Sequence, residues 1–200
     1  MSKTMKVRIT FLEEILGTAN ADKDIHSEFI ASKAPDAPSR EEEVASLGID
    51  EVEKKEMTVF PRLEDGTPFL WDYQIRGFFK SAAQAMSYVG GTHKLAAYKK
   101  KIDLLVHIQE RKIPLIIPDG LGIGNCQRPL RAQTMQGDRV ALANSETCPA
   151  GTTAEFTIEC LQDDLMKYVI EWLDYGKYNG LGQWRNSRKG SFEWTDISDK

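Results

Sequence analysis

Ala154-Glu155-Phe156-Thr157-Ile158-Glu159-Cys160 alternates apolar with polar side chains, and Leu161, Leu165, Val169, Trp172 and Leu173 then recur at helical spacing up to Gly176. A repeat of two followed by one of about 3.6 is the pattern of a half-buried strand feeding an amphipathic helix. The same pairing stands nearer the N-terminus. Lys6-Val7-Arg8-Ile9-Thr10-Phe11-Leu12 alternates as a strand, and Ile75, Phe78, Phe79, Ala82 and Met86 form the buried stripe of a helix. Asp72 is the expected N-cap of that helix and Gly90-Gly91 its stop. Between the two helices, 102–107 and 113–117 read as strands, and 130–135 with 139–143 as a hairpin about Gln136-Gly137-Asp138. Residues 57–62 and 69–71 are further strand-like stretches. Strand, helix, several strands and helix predict an α+β protein, an antiparallel sheet with helices packed on one face.

Two hundred residues with 41% hydrophobic content are enough for one elaborated domain, expected over 1–200. The formal net charge is -4. Residues 40–56 hold seven carboxylates against three basic side chains, so this stretch carries the whole acidic excess. Few of its residues are apolar, and Ala34-Pro35-Asp36-Ala37-Pro38-Ser39 breaks the chain before it. The prediction is an inserted acidic arm at 34–56, preceded by a short helix over 22–32. Cys126, Cys148 and Cys160 are odd in number, widely spaced and without a CxxC pair, which supports neither a disulfide framework nor a zinc site and fits a reducing cytosol. The sequence shows no signal-like core and no apolar run of membrane-spanning length, so a soluble cytoplasmic protein with no membrane partner is expected.

The functional signal lies in Gly180-Leu181-Gly182-Gln183-Trp184-Arg185-Asn186-Ser187-Arg188-Lys189-Gly190-Ser191-Phe192. It holds three glycines, three basic residues and two aromatics without one acidic side chain. Glycine permits close backbone approach, Arg185, Arg188 and Lys189 offer donors to phosphate, and Trp184, Phe192 and the nearby Tyr178 offer faces for bases. The alternative is a solvated basic turn with Trp184 as its buried anchor. Arg76 and Lys80, one helical turn apart, share a face of the first strong helix and are either further phosphate contacts or solvated charge. Pro118-Asp119-Gly120-Leu121-Gly122-Ile123-Gly124-Asn125 is glycine-rich but lacks the GK[ST] ending of a nucleotide-triphosphate loop.

Three segments, taken in order, resemble the RAMP superfamily, the ferredoxin-like proteins that build CRISPR ribonucleoprotein subunits and guide-processing nucleases. Residues 69–82, Phe69-Leu70-Trp71-Asp72-Tyr73-Gln74-Ile75-Arg76-Gly77-Phe78-Phe79-Lys80-Ser81-Ala82, are similar to the short strand and basic-glycine helix start of the backbone-forming subunits, without the serines usual there. Cys148-Pro149-Ala150-Gly151-Thr152-Thr153-Ala154-Glu155-Phe156-Thr157-Ile158 is similar to the turn and strand before the last helix. The 180–192 stretch resembles the terminal glycine-rich loop, ending here in Gly190-Ser191-Phe192 rather than glycine-aromatic-glycine. The resemblance implies a ferredoxin-like (RRM-like) sheet elaborated by insertions. It also implies single-stranded RNA bound across a sheet face and loops, assembly into a ribonucleoprotein or homo-oligomer, and a place in CRISPR antiviral defence.

Relatives that cut RNA use a general acid-base group, and His26, after the first strand, is the candidate. A histidine in a polar helix also has an ordinary surface role, and His107 in a strand a structural one. Asp22 and Asp24, where some backbone subunits carry a target-cleaving aspartate, double as capping or solvated residues. No GxSxG, HExxH or Rossmann pattern is present, and no cofactor or metal is expected. The reading that follows is a non-catalytic RNA-binding protein whose contacts are Arg76, Lys80, Tyr178, Gly180, Gly182, Trp184, Arg185, Arg188, Lys189 and Gly190. The alternatives are a metal-independent endoribonuclease using His26, and a mobile-element protein that binds or inhibits a partner through its acidic arm.

Overall fold

A computed structural model describes residues 2–20, 57–134 and 137–198. Strand β1 (Lys3–Phe11) buries Met5, Val7, Ile9 and Phe11 and turns Thr4, Lys6 and Arg8 to solvent. This is the alternation that a pleated strand imposes when one face is covered. The chain then forms the short strands β2 (Ile15–Leu16), β3 (Ala19–Asn20), β4 (Met57–Val59) and β5 (Phe69–Trp71) before helix α1 (Asp72–Val89). Helix α2 (Tyr98–Leu105) leads directly into β6 (Val106–Ile108), and β7 (Lys112–Pro114) pairs with β5. A long hairpin, β8 (Gly124–Thr134) and β9 (Gly137–Cys148), precedes β10 (Thr153–Cys160), helix α3 (Met166–Tyr175) and β11 (Phe192–Asp196).

The principal sheet runs β11-β1-β10-β6, every neighbour antiparallel. With α1 between β1 and β6, and α3 between β10 and β11, the succession is β-α-β-β-α-β. That is the ferredoxin-like topology, in an α+β fold, as expected. Ile75, Phe78, Phe79 and Ala82 of α1 and Val169, Trp172 and Leu173 of α3 join Val7, Ile9, Phe156 and Ile158 in one core cluster. Both helices thus cover the same face of the sheet. Two excursions elaborate the frame, one between β1 and α1 and one between β6 and β10. They meet in a second sheet ordered β2-β9-β4-β3, with β8 paired to β9.

Several elements differ from expectation. Residues 102–107 are not a strand: 98–105 are helical, because Ile102 is the residue this segment buries while Lys99 and Lys100 point outward and Asp103 pairs with Lys80. Only Val106–Ile108 extend. Trp71, not Asp72, is the N-cap residue of α1; its N–H donates to Gln74 Oε1 at 2.9 Å, and Gln74 Nε2 donates to Thr18 Oγ1 at 2.8 Å. Leu161 is exposed, because the chain leaves β10 through a short 3-10 turn at Asp163–Leu165 before α3 begins. The hairpin is about twice the expected length, and β11 closes the sheet where no strand was anticipated. The acidic arm at 34–56, the helix over 22–32, His26, Asp22 and Asp24 all lie outside the described residues.

Candidate nucleic-acid interface

The loop between α3 and β11 is built by close backbone contact. Leu181 N–H donates to the Gly190 carbonyl at 3.0 Å, and Gly190 N–H donates to the Glu14 carbonyl at 2.9 Å. Gly180 and Gly190 abut each other's strand so tightly that neither has room for a methyl group. Gly182 lies against the Leu16 carbonyl with φ 82°. The chain itself therefore occupies the space these three glycines open, whatever else approaches the loop. Leu181 and Ser191 are buried, so the loop is anchored at both ends.

Between those anchors the chain is held in an unusual shape. Trp184 has φ 55° and Arg188 φ 63°, bracketing a 3-10 turn over Arg185–Ser187. Residues other than glycine adopt this left-handed conformation at a cost of about 1–2 kcal/mol each. Among the described residues, the side chains of Arg185 and Arg188 make no ion pair or hydrogen bond. Trp184 is half-exposed, and the Arg128 guanidinium of β8 lies 5.0 Å from its ring centroid. Arg128 Nη2 also donates to Gln183 Oε1 at 3.0 Å.

The other expected contacts divide. Lys189 turns inward, its Nζ 2.8 Å from Glu14 Oε1 and 3.6 Å from Glu13 Oε2, and this pairing raises its pKa. Tyr178 is exposed beside Lys177, whose Nζ lies 5.1 Å from its ring centroid. Arg76 pairs with Asp72 at 3.1 Å, and Lys80 with Asp103 of α2. Both thus have carboxylate partners on the helix layer, and no contact among the described residues ties them to the loop. Phe192 offers no face to a base: it is 1% exposed, packed edge-on against Phe11 and Phe78.

The open face of the principal sheet presents Lys6 and Arg8 from β1, Glu155, Thr157 and Glu159 from β10, His107 from β6 and Glu193 and Thr195 from β11. Arg8 is bonded to Glu155 at 2.6 Å, and Lys6 lies 3.7 Å from the same carboxylate. Arg8 thereby holds the Glu155 pKa below its ordinary value. No aromatic side chain stands on this face among the described residues. RRM-type sheets stack bases on aromatics there, whereas this face, over which RNA binding was expected, carries no such platform among the described residues. Arg128 does not stand out in the sequence, because its neighbours Gln183 and Trp184 come from a distant part of the chain. No cluster of three His, Cys, Asp or Glu suited to a metal ion occurs among the described residues. No helix among them is long and apolar enough to cross a membrane.

No family model matches the sequence, and no curated protein does. Solved structures do match. One is a chain of the Type III-B Cmr-beta bound to cognate target RNA, seen by cryo-EM. It is 12% identical at TM-score 0.57, over 97% of this chain and 59% of that one. A chain of a Type IV-B CRISPR complex is 11% identical at TM-score 0.48, over 98% of this chain and 91% of that one. The ferredoxin-like frame with its two excursions is thus a fold shared with the Cmr-beta chain. This chain spans 59% of the length of the Cmr-beta chain whose fold it shares.

Proposed function

We propose that this is a non-catalytic, RAMP-like protein that binds single-stranded RNA and works in the cytoplasm as a subunit, or a homo-oligomer, of a CRISPR-related ribonucleoprotein. The observation that carries the reading is the turn at 184–188, which offers two unpaired guanidinium groups beside a half-exposed indole on a rigidly anchored loop. Guanidinium pairs with phosphate through planar, bidentate bonds, and an aromatic face stacks a base of any identity. The Cmr-beta assembly, one chain of which shares this fold, is bound to cognate target RNA, and that supports the reading. The overall charge of -4 is compatible, since local fields govern such contacts. On this reading RNA runs over the loop rather than across the sheet, whose cations are already paired with Glu155. Lys189 supports the loop from behind.

The test is a titration of labelled single-stranded RNA, single-stranded DNA and duplex at two salt concentrations, with purified protein freed of nucleic acid and with R185A/R188A. Salt-sensitive RNA binding is expected. Its logarithmic salt slope should fall by about 0.7 for each phosphate that the variant no longer neutralises. Wild-type protein that binds none of the three ligands would overturn the reading, and would turn attention to a protein partner of the 34–56 segment.

A further inference from the structure

Arg128 is a guanidinium only 7% exposed, on strand β8 of the long hairpin. Its Nη2 reaches Gln183, but its Nε and Nη1 are buried and bonded to nothing among the described residues. Burying a cation with donors unsatisfied costs folding free energy, and a methionine of similar length would fill the same space without that cost. A second cost falls on the same spot, in the left-handed backbone of Trp184. Both converge on the indole. Its backbone is fixed, one face is covered by the planar guanidinium, and the residue is still 40% exposed.

We infer that Trp184 is a stacking platform for one unpaired nucleobase, and that Arg128 is the positioning residue that holds it. The inference rests on the single-stranded RNA reading and adds to it a residue and a mechanism. Arg128 closes one face of the indole by cation–π contact and fixes Gln183, the residue before it, so the remaining face is presented in a single orientation. Stacking on that face does not depend on base identity, because every base has a π face. The platform joins the hairpin to the glycine-rich loop. A base stacked there would sit beside Arg185 and Arg188, close enough in sequence for the adjoining phosphates to meet them.

Fluorescence anisotropy with full-length protein tests this, using labelled oligouridine and a ribose-phosphate strand of the same length without bases. W184A should weaken oligouridine binding about ten-fold while leaving the abasic strand unaffected. R128M, verified as folded by its near-ultraviolet circular dichroism, should reproduce most of that loss. The double variant should bind no more weakly than W184A, because the effect of Arg128 passes through the indole. If R128M does not fold, Q183A removes the Nη2 acceptor without emptying the buried site and should act in the same direction. Oligouridine binding unchanged in W184A would overturn the platform alone. So would equal losses for the two strands, or losses at Arg128 and Trp184 that add in the double variant. Wild-type protein that binds neither strand would overturn the RNA reading itself.

Discussion

Gly180 and Gly190 meet backbone to backbone at the neck of the loop, where Leu181 donates to the Gly190 carbonyl at 3.0 Å and neither Cα has space for a methyl group. Gly190 also has φ 69°, so alanine there adds a left-handed conformational penalty to steric overlap. The neck is the point from which Trp184 and the arginines are aimed. Its integrity is therefore a condition of any function of the loop.

G190A should lose about 2–4 kcal/mol in urea-induced unfolding, from the overlap and the conformation together. An open-space glycine makes the control. Gly77, whose Cβ direction is unobstructed within helix α1, should tolerate alanine or gain slightly. Equal losses at the two sites would contradict the packing described.

Lys189 joins the loop to the segment after β1. Its pKa is raised above 10.5, chiefly by hydrogen bonding to Glu14. A raised lysine pKa means stability that is fully present below the unfolded value and lost as pH climbs through the folded one. K189M should therefore melt below wild type at neutral pH, by no more than about 1 kcal/mol for a partly exposed pair, and the gap should close above pH 10.5. Thermal melts at neutral and strongly alkaline pH read this directly.

Phe192 separates the loop's composition from its structure. It is buried against Phe11 and Phe78 with ring centroids 6.2 and 5.1 Å apart. F192A should cost about 3–5 kcal/mol, the usual result of emptying an aromatic core site. A loss below about 1 kcal/mol in a chemical denaturation would place the ring outside the core.

Local periodicity made the frame legible: the alternation of β1 and β10 and the stripe of Ile75, Phe78, Phe79 and Ala82 each mark a covered face that one stretch of chain reveals. Residues 102–107 escaped that logic because a short apolar run fits helix and strand alike, and the burial of Ile102 beside an exposed Asp103 decides between them. Phe192-Glu193-Trp194 carries strand alternation too, but the glycine and basic residues before it favour reading the whole stretch as loop. The candidate site was legible in part. Trp184, Arg185 and Arg188 stand out by composition, whereas the inward turn of Lys189 depends on Glu14 and the role of Arg128 on Gln183, 55 residues away. Such pairings are made by the tertiary fold and leave no local trace.

The sheet face and the loop make opposite predictions for substitution. Arg8 is held by Glu155 at 2.6 Å on a face that also carries Glu159 and Glu193, so its charge is already compensated. R8A should therefore change the affinity for single-stranded RNA less than R185A/R188A does, with the same protein, strand and salt. The Glu155 pKa is lowered, first by its hydrogen bond from Arg8, so the pair's stabilising effect is present above the ordinary glutamate pKa of 4.5 and fades as pH falls through the depressed value. Because the Glu155 side chain is 38% exposed, the effect is screened and should amount to about 0.5 kcal/mol. E155Q should accordingly flatten the acid limb of the stability profile. It should also release Arg8 and Lys6 from their shared partner, but with the RNA on the loop its affinity should stay nearly unchanged. A clear rise in affinity on E155Q, or a larger loss from R8A than from R185A/R188A, would move the RNA path from the loop onto the sheet.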